Sequence, residues 1–468
     1  MRQQRMDRLR NKFGKSNTRS EVKFNRLSRI TISLLFGKFD YDIPLHRDER
    51  ITIITAPNGY GKSTILRLTN ALMCGDYNYL ASIPFKDFRL EFVDGQELSV
   101  HRDADKTPYG PLQHVYWSSQ VGKPITLSLQ ALSSKEDNKV VRYLSNLISR
   151  EEDYSTSRFE HNRIADEDTA SFVKQFVANY GTDRLRTQDQ LERKEIEELR
   201  NSLPMLFIST DRLYTESSES GDGYKQRTLT VNEISQRVWD LVRRAMSEYA
   251  RVSRRIDKNF TEKVLKSVNE SEVIHSVPTA ESLNALRLQE RKVKEMEVRL
   301  NNLGFFIDEQ IAEGTTSTVN TISALRVLQL HYDDMASKYS SLNDVAARVE
   351  LLLECLSSLY SHKTVKFTIY EGLQVVTDDG YSLPLNKLSS GEQHLLVLYG
   401  RLLFGAGAPL VMLDEPEISL HLEWQMDFVQ HLELISKIHP FDLIVATHSP
   451  YLINGRDELM VELSDMVD

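Results

Sequence analysis

The amino-terminal part of the chain alternates apolar and polar residues, which is the pattern of half-buried β-strands. Alternation over 30–43 predicts two strands, and shorter alternating runs on either side of Asp94-Gly95 predict a hairpin. A further apolar strand, Ile51–Thr55, leads directly into a glycine-rich turn, and helical spacing follows over 63–72. The succession of strand, turn and helix indicates an α/β domain.

The middle of the chain changes to helical spacing. Residues 130–204 are rich in charge and predict a helical lid or insertion, and 230–360 predict several helices. Within 283–303, two sets of residues repeat every seven positions with an offset of three, which predicts a short coiled-coil seam. Helices near 320–340 and 343–360 would return along it as an antiparallel arm, and a helical subdomain packed on the core is the alternative. The two sets are Leu286, Val293 and Leu300, and Gln289, Met296 and Leu303.

The last hundred residues return to strands and buried apolar runs. Strands are predicted at 364–370 and 373–377, and Met205–Ser209 earlier in the chain is a short apolar strand. The apolar stretch His394–Leu413 is interrupted by Arg401 and Pro409, so it predicts a buried helix and then a buried strand rather than a membrane span. We therefore expect a mixed sheet with flanking helices and a helical insertion.

Composition narrows the class of protein. The chain has 468 residues, 40% of them hydrophobic and 27% charged, which excludes a mostly disordered chain and a polytopic membrane protein. Two cysteines, Cys74 and Cys355, exclude a disulfide scaffold and favour a reducing cytoplasm. The net charge of -9 is uneven, because residues 1–30 hold ten Lys and Arg against two acids. This basic segment would suit nucleic acid or an acidic partner, and its composition also fits a mitochondrial presequence.

The strongest motif runs from Ala56 to Thr64, between a predicted strand and a predicted helix. Its small residues let backbone N–H groups surround a phosphate, and the helix amino terminus adds positive potential. Lys62 would neutralise phosphate oxygens and Ser63 would ligate Mg²⁺. Ala56 stands where the usual pattern has glycine, a small departure.

The apolar strand Leu410–Leu413 ends in Asp414-Glu415. In a doubly wound sheet, ligands bind at the carboxyl edge of the strands, where these acids would lie. Asp414 would hold Mg²⁺ through water, and Glu415 would act as a general base toward a water molecule. By itself an apolar strand that ends in two acids is common. It indicates a nucleotide site only because the phosphate loop precedes it in the same chain.

Two weaker motifs accompany these. Leu388–Gln393 precedes an apolar helical run, so that Ser389 and the backbone of Gly391 would present donors to an anion; an ordinary helix cap is the simpler interpretation. Ala446–Pro450 follows an apolar strand and carries His448, which would contact a γ-phosphate.

In this order, the four motifs resemble those of ABC-type ATPases of the SMC, Rad50, RecF and OLD branch. The resemblance implies a P-loop ABC-ATPase head with a helical insertion or short coiled-coil arm. Residues 414–421, Trp424-Gln425 and Thr447–Pro450 are particularly similar to OLD-type and phage-defence ATPases. Together with the sequence pattern, the resemblance divides the chain into six segments. They are a basic tail (1–23), the first half of the head (24–129), a helical lid or insertion (130–204), a strand and helix returning to the head (205–265), a helical arm (266–360) and the second half of the head (361–468).

The resemblance also implies a shared site, in which two copies of the chain enclose ATP and Mg²⁺. Glu417–His421 would be the D-loop across that interface, and Gln120 is the candidate glutamine that senses Mg²⁺. Arg212 is a candidate cation near phosphate, behind the residues that contact it, and a surface salt bridge is the alternative. One protomer would supply Asn58, Gly59, Gly61, Lys62, Ser63, Thr64, Asp414, Glu415 and His448, and its partner Ser389 and Gly391.

No nuclease motif is visible beside the ATPase motifs, and the acidic cluster of an OLD-type nuclease domain is not found. The chain thus resembles the stand-alone ATPases of two-gene defence systems such as PARIS and Septu. This implies a cytoplasmic homo-oligomer without membrane contact that controls a separate effector, expected to be a nuclease, in response to a phage trigger. The alternative is a RecF-type repair ATPase that clamps directly on DNA. A transporter subunit is disfavoured by the long insertion, and a non-catalytic scaffold by the intact Lys62, Asp414 and Glu415.

Overall fold

The structure is a computed structural model that describes residues 25–102, 112–118, 125–128, 198, 200–217, 226–269, 277–306, 319–405, 408–438, 440–453 and 455–464. Two compact units divide the chain. The P-loop unit comprises 19–208, 408–416 and 441–468, and the signature unit comprises 1–18, 209–407 and 417–440.

The P-loop unit contains a parallel sheet and an antiparallel sheet. The parallel sheet has five strands in the order β16-β3-β15-β14-β8, and the antiparallel sheet has six in the order β2-β1-β4-β5-β6-β7. Two helices follow β3. The elements are β1 (Leu27–Leu35), β2 (Phe39–Pro44), β3 (Ile51–Thr55), α1 (Lys62–Cys74), α2 (Tyr77–Ser82), β4 (Asp87–Phe92), β5 (Glu97–Arg102), β6 (Leu112–Ser118), β7 (Ile125–Ser128), β8 (Met205–Ile208), β14 (Leu410–Asp414), β15 (Asp442–Thr447), α9 (Pro450–Ile453) and β16 (Met460–Glu462).

Apolar patterning explains how these elements pack. Every residue of β3 and β14 is buried, as expected for parallel strands covered on both faces. By contrast β2 and β4 alternate, with one face in a core that they share with α1. Because β3, β14 and β15 are parallel, with Asp414 opposite Ala446 and Thr447 opposite Thr55, their carboxyl ends meet at one edge of the sheet.

The signature unit combines long helices with two small sheets. Strands β9 and β10 pair as a hairpin, and β11, β12 and β13 form a three-stranded antiparallel sheet. The helix α3 has 40 residues and is therefore about 60 Å long. The elements are β9 (Tyr214–Ser217), β10 (Gln226–Leu229), α3 (Thr230–Asn269), α4 (Ala280–Asn302), α5 (Ile322–Ser340), α6 (Asn343–Leu359), β11 (Lys363–Thr368), β12 (Gly372–Thr377), β13 (Ser382–Leu383), α7 (Ser390–Phe404) and α8 (Leu422–Ile438).

The direction of the helices differs from the antiparallel arm predicted above. Lys338 bonds Asp257, and Lys263 bonds Asp334, so α5 runs antiparallel to α3. Gln289 in α4 bonds Asp333 in α5, and Phe306, just past the end of α4, packs against Tyr339 near the end of α5. Later residues of α4 thus meet later residues of α5, so the two helices run in the same direction. The helices α4 and α5 do pair as predicted, but the predicted antiparallel direction is wrong, because it is α3 that runs opposite to α5.

Helix α3 and the turn after α4 also pack against the small sheet of β11, β12 and β13. At Gly304, which has a φ of +73°, a side chain would overlap the carbonyl oxygen of Phe367 in β11. The indole of Trp239 in α3 donates to the carbonyl of Ile369, and Phe305 packs on Phe367. Three of the predicted seam residues in α4, Leu286, Val293 and Leu300, are buried.

The α/β class, the flanking helices and the helical region predicted from the sequence are confirmed, and the strands of the P-loop unit lie in one parallel and one antiparallel sheet. The Ser- and Gly-rich region 215–227 contributes residues to β9 at one end and to β10 at the other. Residues 1–23 and most of 130–204 lie outside the described residues. Among the helices that are described, none is long and apolar enough to cross a membrane. The six predicted segment boundaries stay predictions.

Candidate functional site

The loop between β3 and α1 has the backbone that a phosphate-binding loop requires. Gly59 and Gly61 have φ of +93° and +85°, values that favour glycine. Gly61 is the N-cap of α1 and gives no side-chain cap, so the first-turn N–H groups are available to an anion by the geometry of a helix start. A Cβ at Gly59 would meet no atom within 4 Å, which places this part of the loop beside open space.

Neighbouring side chains fix this loop in place. The buried hydroxyl of Tyr41 in β2 donates to the carbonyl of Tyr60, 2.8 Å away. Burial raises the pKa of Tyr41 to about 12, so the phenol keeps its donor proton at physiological pH. A Cβ at Gly61 would lie 2.8 Å from Cδ2 of Leu35, so a larger residue would displace that side chain, while the φ of +85° is what favours glycine there. Nζ of Lys62 donates to the carbonyl of Ala56, 2.6 Å away.

Asp414 at the end of β14 fits a cation site. Its side chain is fully buried, and neither carboxylate oxygen has a hydrogen-bond donor among the described residues. A buried carboxylate without donors is costly unless a positive charge compensates it. Nη2 of Arg67, one turn after Ser63 on α1, lies 3.7 Å from Oδ2. Oxygen donors from Ser63 and Asp414 are the kind that Mg²⁺ prefers, so these residues fit the ion that the sequence motifs imply.

Glu415 and His448 meet at the same edge of the parallel sheet. Glu415 has a φ of +44°, which is uncommon for a residue with a side chain, and its N–H donates to the carbonyl of Ala446 in β15. That bond turns the carboxylate toward the loop after β15, where Nδ1 of His448 lies 3.8 Å from Oε1. Both side chains are partly exposed, as groups that contact a ligand must be.

A second cluster on the antiparallel sheet looks catalytic but does not fit catalysis. Nδ1 of His101 lies 2.5 Å from Oδ1 of Asp87, and Nε2 lies 3.2 Å from Oγ of Ser99. Ser99 is only 2% exposed, and β5 pairs with strands on both sides, so its backbone N–H groups are held in the ladders. A nucleophile needs access and an oxyanion hole. The cluster therefore stabilises the sheet.

In the signature unit, Ser389 caps the amino terminus of α7. Its hydroxyl accepts from the N–H of Glu392, and the Glu392 carboxylate accepts from the N–H and the hydroxyl of Ser389, each at 2.9 Å. This reciprocal capping box orients the first turn of α7. The structure therefore shows the simpler interpretation of the motif, an ordinary helix cap, and the role of Ser389 toward an anion stays a prediction.

Gly391 in that first turn packs against the predicted D-loop. A Cβ there would lie 2.6 Å from the carbonyl oxygen of Ser419 and 3.2 Å from Cζ3 of Trp424. Ser419 itself has a φ of +66°. Because Gly391 has no side chain, the D-loop backbone can lie directly on α7, the signature helix.

Arg212, which precedes Ile418 by 206 residues in the chain, also contacts the D-loop. Its side chain is 1% exposed, and Nη2 donates to the carbonyl of Ile418 in the D-loop. Burial, and then the charge of Arg212, lowers the pKa of His394, whose Nδ1 bonds the carbonyl of Ser390. The expectation of a second cation near phosphate stays a prediction, because the contact seen is with the D-loop backbone.

Sequence reasoning placed most of these residues and missed two. The structure brings the glycine loop, Asp414, Glu415 and His448 to one sheet edge, whereas Gln120 lies outside the described residues. Arg67 was missed, although its spacing of four residues from Ser63 on one helix face was a usable signal. Lys363, whose contact with Glu392 is described below, gave no signal, since the two are 29 residues apart.

Comparison with solved structures finds weak similarity to SMC heads. One match is the Smc head domain with an extended coiled coil from Pyrococcus furiosus, described as bound to the C-terminal domain of ScpA, at 13% identity and a TM-score of 0.34, covering 94% of this chain and 93% of that chain. Another is the SMC head domain from Thermotoga maritima, at 10% identity and a TM-score of 0.31, covering 93% and 94%.

Family comparison is more informative. The AAA_15 family, described as an AAA ATPase domain, matches residues 29–453. That range includes the glycine loop, the signature helix, Asp414-Glu415 and His448, so the match covers both units and every motif of the candidate site. The chain belongs to the AAA_15 family of ATPase domains.

Proposed function

We propose that this chain is a switch ATPase that binds ATP with Mg²⁺, pairs with a second copy when ATP is bound, and controls a separate effector in anti-phage defence. One observation carries the ATPase part: at one edge of a parallel sheet, the start of α1 with Lys62 accompanies the buried Asp414, Glu415 and His448. The defence part rests on the similarity of residues 414–421 and Thr447–Pro450 to phage-defence ATPases.

Each residue of the edge has a definite task in this proposal. Lys62 and the first-turn N–H groups of α1 neutralise the phosphate oxygens of ATP. Ser63 and Asp414 would hold Mg²⁺, which supplies further charge neutralisation when bound. Glu415 accepts a proton from the attacking water, and His448 donates to the γ-phosphate. Ser389 and Gly391 of the second copy complete the site, so that the nucleotide joins the two heads.

Two substitutions test the enzymatic part. We expect Lys62→Ala to weaken ATP binding tenfold or more, since charge-assisted hydrogen bonds are worth about 1.5–3 kcal/mol. Glu415→Gln should retain ATP binding and lose about 10²–10⁴ in turnover, the usual contribution of a general base. Nucleotide binding and phosphate release are measured for both, with exposed Lys437→Ala as the control. Turnover of Glu415→Gln at the parental rate would exclude Glu415 as the base.

The defence part requires a partner. Affinity purification of Glu415→Gln from the native host, with nuclease treatment, should recover a stoichiometric small protein with nuclease-type acidic motifs. Lys62→Ala, purified in parallel, should recover less of it if assembly depends on ATP. Recovery of DNA from an untreated sample, with no protein partner, would instead support the repair clamp.

The repair clamp is the second candidate because of the surface of α3. Among its described side chains, eight exposed Lys and Arg stand against four exposed acids, although the chain as a whole is acidic. Such a surface suits a phosphate backbone, and its binding would weaken steeply with salt. Arg244→Glu with Arg251→Glu should then abolish duplex binding, whereas Arg291→Glu on α4 should not. An absence of duplex binding at low salt would remove this candidate.

A further inference from the structure

Lys363 holds the carboxylate that orients the signature serine. Its Nζ donates to both oxygens of Glu392, at 2.8 and 2.9 Å. The Glu392 side chain is 7% exposed and that of Lys363 is 24% exposed, so this ion pair is largely removed from water. The same carboxylate accepts from the N–H and the hydroxyl of Ser389, so Lys363, Glu392 and Ser389 form one continuous chain of hydrogen bonds.

Lys363 does not act from the signature helix. It is the first residue of β11, and Tyr360, which ends α6, donates its hydroxyl to the main-chain carbonyl of Glu392 at 2.6 Å. The segment 360–363 therefore binds both the main-chain carbonyl and the carboxylate of Glu392. Because α6 is tied to α4 by the ion pair of Arg299 with Glu350, this segment joins the helical bundle to the signature turn.

Charge gives the pair a consequence for ligand binding. Burial alone would raise the pKa of Glu392, but hydrogen bonds from Lys363 and Ser389 outweigh it, so the pKa is lowered and the carboxylate is charged. Two bonds from Ser389 bring this negative charge to the residue that would meet a phosphate. Without Lys363, the carboxylate would be uncompensated and would repel that phosphate.

We propose that Lys363 is a positioning residue for the signature motif: it neutralises Glu392 and keeps Ser389 oriented toward the ATP held by a second copy. This rests on the proposed function, in which Ser389 contacts nucleotide across the pair. Lys363 contacts no nucleotide itself, and ATP binding to the P-loop unit of the same chain does not depend on it.

The test uses the full-length Glu415→Gln chain, whose paired form should persist with ATP. Its pairing is followed by sedimentation or light scattering, and its ATP affinity by a fluorescent nucleotide at a protein concentration where it is monomeric. We expect Lys363→Met to weaken ATP-dependent pairing at least tenfold while changing ATP affinity less than twofold. Lys363→Arg should retain pairing, because it keeps the charge.

A double variant separates charge from folding. In Lys363→Met with Glu392→Gln the uncompensated carboxylate is gone, and glutamine still forms a capping box. It should recover most of the pairing lost in Lys363→Met. Pairing by Lys363→Met equal to that of its parent would overturn the role of Lys363 alone. Failure of the parent itself to pair with ATP would overturn the head pairing, and the role of Lys363 with it. If Lys363→Met does not fold, the double variant takes its place in the test. A double variant that folds but does not pair with ATP would then contradict the proposed role of Lys363.

Discussion

Replacing Gly391 by alanine tests whether the D-loop really lies on the signature helix. The new Cβ would be 2.6 Å from the carbonyl oxygen of Ser419, whereas ordinary contacts are 3.4–4 Å, so the D-loop backbone must move by about 0.8 Å or more. Overpacking of this kind costs about 1–3 kcal/mol. Helix propensity favours alanine by up to about 1 kcal/mol, so a net loss of stability would come from the contacts of the new Cβ with Ser419 and Trp424.

Thermal and urea unfolding measure the effect. For a cooperative unit of 150–250 residues each kcal/mol lowers Tm by about 2–4 °C, so Gly391→Ala should lower Tm by several degrees without any nucleotide present. Ser390→Ala is the matched control, since Ser390 is exposed in the same helical turn and its substitution should be neutral or slightly stabilising. If Gly391→Ala is as stable as the parent, the glycine is not required by the D-loop and the packing argument is refuted.

Three further predictions follow from other contacts. Arg67→Gln removes a cation near Asp414 and should lower the half-saturating Mg²⁺ for fluorescent-ATP binding by about threefold, a Coulomb effect discounted for the exposure of Arg67; an unchanged Mg²⁺ titration would contradict it. Burial lowers the pKa of His394 below its ordinary value of 6.5, so the unfolded chain takes up a proton first and stability should fall as pH decreases through that value; His394→Gln should lessen this loss in denaturation at pH 7 and pH 5. Gly304→Ala would overlap the carbonyl of Phe367 at a φ of +73°, and should cost at least about 1–2 kcal/mol in urea unfolding, with no loss expected if the turn is free.

The pattern of apolar residues and glycines along the chain predicted those elements whose conformation depends on residues adjacent in sequence. Continuous apolar runs gave β3 and β14, and the glycine loop between β3 and α1 required positive φ at two positions, which the sequence shows directly. Because parallel strands share a carboxyl edge, the convergence of Asp414 and His448 on the loop also followed.

Contacts distant in sequence could not be predicted in this way. Nothing in a seven-residue repeat tells which helix α5 opposes, since α3 and α4 offer similar apolar stripes. Nor does it indicate that Lys363 reaches Glu392, because a strand residue and a helix residue meet only through the tertiary fold. The strain at Ser419 and its position over Gly391 are likewise set by packing between a loop and a helix.

The order of the parallel sheet has a consequence for synthesis of the chain on the ribosome. The neighbours of β3 are β15 and β16, which are formed by residues 442–447 and 460–462. Throughout most of translation the phosphate loop is therefore attached to a strand whose partners do not yet exist, and such an edge is prone to pair wrongly. The sheet edge that carries the candidate site is therefore completed only after β15 and β16 have been synthesised.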